Sequence, residues 1–119
     1  MHGLAAGVAA LIRVEAIWMS SAPLDMRAGS EKLLACIVAV FGEARAHHAY
    51  LFANRRATRM KVLVHDGIGI WLASRRLHQG RFVWSHDRAS ATMTRAQFEA
   101  LVLGLPWQRI GEDSAIRVL

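Results

Sequence analysis

"MKVLVHDGIGIWLASRRL", residues 60–77, is the stretch on which the reading of the fold turns. Two apolar runs of strand-like composition flank "DGIG", and Asp66-Gly67 is a short-range hairpin signal because glycine readily takes the positive φ such turns need. A two-residue and a four-residue turn lead to the same assignment of faces. Side chains alternate across a strand, so Met60, Val62, Val64, Trp71 and Ala73 fall on one face, which is expected to be core. The other face carries Leu63, His65, Ile70 and Leu72 near the turn, and Arg59, Lys61, Ser74 and Arg76 at the far end. That far end adjoins Arg55 and Arg56 in the loop "NRRATR". Strand alternation alone thus gathers five basic residues at one place.

Elements on either side follow from similar local chemistry. "VEAIWMS" (14–20) reads as a first strand or as the continuation of a helix from the leader. "SSAPLD" reads as a turn, with Pro23 fixing φ and Asp25 able to cap a helix. In the segment that follows, Leu33, Leu34, Ile37, Val38 and Phe41 recur at three and four residues, one apolar helical face that Gly42 ends. Cys36 lies within it as a small core residue. "HAYLFAN" reads as a second strand, and "RFVWS" (81–85) as a further short one on which Phe82 and Trp84 share a face. "TRAQ" (94–97) has the form of a capping box, and Phe98, Leu101, Val102 and Leu105 form one face of the helix it opens. The expectation is a single α+β domain, an antiparallel sheet of about five strands with two packed helices, over residues 14–107. Residues 1–13 form a frayed or helical leader and 108–119 a tail.

Composition narrows the function classes. A hydrophobic fraction of 54% with 20% charged residues is that of a globular chain. One cysteine allows neither an internal disulfide nor a thiolate-rich zinc site, and fits a reducing compartment. The apolar run "GLAAGVAALI" stops at Arg13, well short of the roughly 20 residues of a bilayer span. With only His2 before it, it lacks the charge of a secretory signal. These features imply a cytoplasmic protein with no membrane partner. The net charge of +6 is uneven: residues 55–95 hold nine Lys/Arg and two acids, a balance of +7. Thirteen of the fifteen basic residues are arginine, whose planar fork suits phosphate and carboxylate groups.

Catalytic and metal chemistry find little support. His47 and His48 are adjacent and would point to opposite faces of a strand, with no cysteine or carboxylate at ligand spacing. The pairs His65-Asp66 and His86-Asp87 lack the further ligands of a metal-dependent phosphohydrolase. Asp25, Asp66, Asp87 and Glu99 have ready roles as caps, turns and helix surface rather than as a converging metal triad. Gly67 and Gly69 lack the third glycine of a nucleotide loop, and Ser20 and Ser21 lack a paired base. No cofactor and no enzyme class are expected. The basic middle of the chain admits three readings: a solvated face, a phosphate-binding surface, or a surface for an acidic protein partner.

"PLDMRAGSEKL", "HDGIGIWLASRRLHQGRFVW" and "TRAQFEALVLGLPW", in this order and spacing, resemble the TnpB accessory proteins of the insertion sequence sixty-six family of bacterial transposable elements. The likeness runs from about Val14 to Trp107. Its most specific parts are Asp25-Met26-Arg27, Asp66-Gly67, and Arg76-Leu77 followed by Gly80-Arg81-Phe82 and Trp84. Such proteins are encoded beside a separate transposase that carries the catalytic carboxylates. The resemblance implies a non-catalytic accessory protein of transposition. Its partner would be the transposase of the same element, DNA, or both, met through Arg55, Arg56, Arg59, Lys61, Arg76 and Arg81. An adaptor for an acidic protein, with no direct nucleic-acid contact, is the alternative. Val64-His65 and Ser74 stand where the family has aromatic residues, which argues against base stacking there. "GEDSAIRVL" replaces the family's basic tail.

Overall fold

The computed structural model describes residues 13–85 and 90–110. The expected leader, apart from Arg13, the tail beyond Ile110, and the pair His86-Asp87 lie outside the described residues. Five strands and two helices alternate in the order β1 (Ala16–Ser20), α1 (Ser30–Phe41), β2 (His48–Ala53), β3 (Arg59–His65), β4 (Ile70–Arg76), β5 (Ser90–Met93) and α2 (Arg95–Val102). A short 3-10 turn, Trp107–Arg109, follows. The strands form one sheet in the order β4-β3-β2-β1-β5. It is a mixed sheet, mostly antiparallel, in which β1 and β2 are the parallel pair because α1 carries the chain back to the starting end. The other three pairings are antiparallel.

Both faces of the sheet's middle strands are covered, each by different parts of the chain. On one, Leu33 and Ile37 of α1 are buried with Leu24 against Tyr50, Phe52 and Leu63. On the other, Ile17, Met19, Leu51, Met60 and Val64 meet Phe82, Trp84, Met93, Leu101 and Trp107. Alternation along the central strands therefore sorts residues between two cores rather than between core and water. Leu63 is fully buried in the α1 layer although the hairpin pattern placed it on the face opposite the expected core.

Three local expectations change. Asp25 does not cap α1; Gly29 holds that position with no side-chain bond. "RFVWS" is not a strand, and the fifth strand of the sheet is β5 instead. Phe82 and Trp84 are nonetheless buried, and the Trp84 indole N–H donates to the Ser20 carbonyl at 2.7 Å. An extended segment lying on a sheet face buries alternate residues just as a paired strand does, so the pattern cannot tell them apart. Leu105 falls beyond the end of α2, past the left-handed Gly104, and is exposed. The capping box at Thr94 is present: its hydroxyl accepts from the Gln97 N–H, and the Gln97 side chain accepts from the Thr94 N–H.

Candidate functional site: the basic end of the β3–β4 hairpin

The hairpin turn comprises Asp66–Gly69 and closes with the Asp66 N–H donating to the Gly69 carbonyl at 3.1 Å. Gly67 has φ 97°, the left-handed conformation that favours glycine. The Asp66 carboxylate accepts from the N–H groups of Ile68 and Gly69 and from the Trp71 indole. The Ile68 bond, followed by those of Trp71 and Gly69, holds this carboxyl below its usual range. Trp71 itself departs from expectation. It shares a face with Val62 and Val64, as alternation requires, but is 44% exposed, and Ala73 is exposed as well. The cause is position: β4 is an edge strand, and all seven of its residues are exposed.

At the other end of the hairpin, the register sets Arg59 opposite Arg76 and Lys61 opposite Ser74. The loop from β2 into β3 is organised by Asn54. Its side-chain carbonyl accepts from the N–H groups of Thr58 and Arg59, its amide donates to the Thr58 hydroxyl, and its backbone carbonyl accepts from Ala57. Ala57 takes a positive φ of 57° to close this loop. Arg55 and Arg56, at its tip, are exposed. The chain leaving β4 is tied to the same loop, since Leu77 N–H donates to the Thr58 carbonyl and Phe82 N–H to that of Ala57. The segment carrying Arg81 is thereby held to the loop carrying Arg55 and Arg56, just after the left-handed Gly80 (φ 80°).

Of the six basic residues singled out from the sequence, five are exposed: Arg55, Arg56, Arg59, Arg76 and Arg81. The sixth, Lys61, is half-buried, and its ammonium donates to the Ala28 carbonyl at 2.6 Å. It ties β3 to the segment entering α1. The four ion pairs among the described residues are Arg13–Glu15, Arg27–Asp25, Arg45–Glu43 and Arg95–Glu99. None involves the five exposed arginines, so no carboxylate neutralises them there. Clustered charges of one sign raise a local potential that draws in opposite charge.

The Asp25-Met26-Arg27 motif lies at the same end of the sheet. Leu24 N–H donates to the carbonyl of Ala53, the residue before Asn54, and Ala28 accepts from Lys61. The Asp25 carboxylate accepts from both the guanidinium and the backbone N–H of Arg27. These bonds, the guanidinium's first, lower its pKa to about 2. Asp25 is therefore ionised but paired within its own loop. Met26 packs against the α1-side core. Arg75, which the sequence reading left out, points to the other face and donates to the Val102 carbonyl at 2.6 Å, capping the last turn of α2. Its alternation with Arg76 was the available signal.

The acidic residues do not converge. Asp25 pairs with Arg27, Asp66 holds the turn, and Glu99 pairs with Arg95, while Asp87 lies outside the described residues. Among the described residues no group of three or more His, Cys, Asp or Glu could hold a metal ion. No helix among them is long and apolar enough to cross a membrane.

Comparison with known proteins bears on this arrangement. The family model of IS66 Orf2-like proteins, the TnpB proteins of IS66, matches residues 15–112. The chain belongs to this family. The match spans every described element, from the strand carrying Trp18 to the turn carrying Trp107. Two similar proteins come from Sinorhizobium fredii strain NBRC 101917 / NGR234. Uncharacterized protein y4hO is 30% identical over 94 residues, covering 77% of this chain and 82% of its own length. Uncharacterized protein y4jC is 28% identical over 96 residues, covering 79% and 82%. No solved structure matches. Membership of the IS66 Orf2-like family gives the chain a role in transposition as an accessory protein.

Proposed function

We propose that this IS66 Orf2-like protein is a non-catalytic accessory factor that contacts DNA phosphates through Arg55, Arg56, Arg59, Arg76 and Arg81. One observation supports the reading above others. Five exposed arginines share one end of the sheet, and none belongs to an ion pair among the described residues. Arginines used only for solubility have no reason to gather around one loop. Phosphate contacts fix placement without reading sequence, so the choice of element ends falls to the separate transposase. Lys61, committed to the Ala28 carbonyl, is a structural member of this corner rather than a phosphate ligand.

Binding of a fluorescent duplex over a range of salt concentrations tests the proposal. If about four of the five arginines neutralise phosphates, log K falls against log salt with a slope of about −3.6. Random and element-end duplexes should then bind alike. A slope near zero, or binding of one sequence alone, contradicts it. Negligible DNA binding together with salt-sensitive binding to the purified transposase favours the adaptor for an acidic partner.

A further inference from the structure

The open side of β4 is a different feature of the hairpin, although Arg76 belongs both to it and to the basic corner. Sheet edges normally carry protection, because unpaired backbone groups invite another strand. Common devices are charged side chains, prolines, bulges, short length or a covering loop, and of these β4 has only the charges of Arg75 and Arg76, confined to one end. β4 has seven residues, no proline and an unbroken register with β3. Its hydrogen-bonding direction can be deduced from both ends of the ladder. Asp66 bonds to Gly69 at the turn, and Leu77 bonds to Thr58 beyond the last pair. Antiparallel pairs alternate between bonded and non-bonded, so Trp71, Ala73 and Arg75 bond inward to β3. The N–H and C=O groups of Ile70, Leu72, Ser74 and Arg76 therefore point to the open edge. Around them the surface is divided: Ile68 (96% exposed), Ile70, Trp71 and Leu72 form an apolar half, while Arg75 and Arg76 form a basic half beside Arg59.

We propose that this edge takes up an extended segment of a partner protein by strand addition. That segment is antiparallel to β4, acidic in its N-terminal half and alternately apolar in its C-terminal half. Charge complementarity selects this occupant. Antiparallel addition sets the incoming N-terminal half beside Ser74–Arg76 and the C-terminal half beside Ile70–Leu72. A second copy of the chain fits poorly. Symmetric pairing about Ala73 sets Arg76 against the other copy's Ile70 and Arg75 against its Trp71, covering four arginines with no carboxylate among them. Burying a charge without a partner is costly.

The probe is a fluorescent peptide of sequence Glu-Asp-Glu-Thr-Val-Thr-Val, titrated with the full-length protein. Binding is expected, with a loss of about tenfold or more for the peptide of reversed order and for one with lysine replacing each acid. Ser74→Pro removes only an outward N–H and should abolish binding while leaving the thermal midpoint and the DNA salt slope unchanged. Ser74→Ala should bind normally. A probe N-methylated at alternate residues should also fail, which tests edge pairing with the protein untouched. No binding by the unmodified peptide overturns the proposal, as does equal binding by Ser74→Pro or by the methylated probe. A concentration-dependent dimer that Ser74→Pro dissolves, and that excludes the peptide, overturns it in favour of a second copy. Loss of DNA binding with peptide binding intact leaves this proposal standing and rejects the phosphate reading alone.

Discussion

β3 and β4 are the two arms of one hairpin, paired residue for residue, and they have opposite fates. β3 is covered on both faces, with Met60 and Val64 in one core and Leu63 in the other. β4, equally rich in apolar side chains, is exposed throughout. Their patterns differ little; what differs is their place in the sheet. α1 links β1 to β2 and so lies over the middle strands, while α2 follows β5 at the opposite edge and is tied to β4 by the bond from Arg75 to the Val102 carbonyl. Alternation determines which residues share a face. Covering that face is a property of topology.

The sharpest way to break this contrast uses the directly opposed pair Leu63 and Leu72. Leu63→Ala deletes a fully buried side chain and should cost about 2 to 5 kcal/mol. Leu72→Ala, at a residue 40% exposed, should cost about 0.5 kcal/mol or less. Urea denaturation of the two variants measures the difference, and comparable losses would show that β4 is covered in solution. Next in size is the turn that joins the arms. Gly67→Val forces a β-branched residue into the left-handed region and should destabilise by about 1 to 3 kcal/mol. An unchanged denaturation midpoint would place the turn elsewhere.

Much of this hairpin was legible from residues 60–77. Its turn, its assignment of faces and the gathering of Arg59 and Arg76 all follow from period-two alternation about Asp66-Gly67, which left the register open between a two-residue and a four-residue turn. The error at Trp71 has a physical source. An apolar residue in phase with two core residues looks like core, yet edge position and the indole's bond to Asp66 leave it at the surface. Lys61 shows a different limit of the pattern. Its phase matched Arg59, but the carbonyl it caps comes from Ala28, thirty-three residues away, and nothing local announces such a partner. The parallel pairing of β1 with β2 and the fifth strand were hidden for the same reason: both depend on contacts between distant segments.

A smaller effect concerns the charge that stays out of the basic corner's balance. Asp25 is pinned by Arg27, with its pKa lowered to about 2. Arg27→Ala should let that pKa rise toward the ordinary 3.8, as NMR titration of the carboxyl can record. A carboxyl whose folded pKa is depressed contributes its stabilisation above the unfolded pKa and loses it as pH falls through the folded value. In the unmodified protein that loss should come between about pH 4 and pH 2, and in the variant, which keeps the backbone N–H of residue 27, it should be smaller. An unshifted titration would mean that the guanidinium is not what holds the Asp25 pKa down.

The central claim is that the arginines at the hairpin's far end are free charge while Lys61 among them is structure. One experiment addresses it directly: the salt dependence of duplex binding and the thermal midpoint, measured together for Arg59→Ala with Arg76→Ala and for Lys61→Ala. The arginine pair should flatten the slope by about 1.8, two phosphates' worth, with the midpoint unmoved. Lys61→Ala should lower the midpoint and leave the slope as it was. Should Lys61→Ala flatten the slope while the arginine pair unfolds the protein, the assignment of free and structural charge at this corner is wrong.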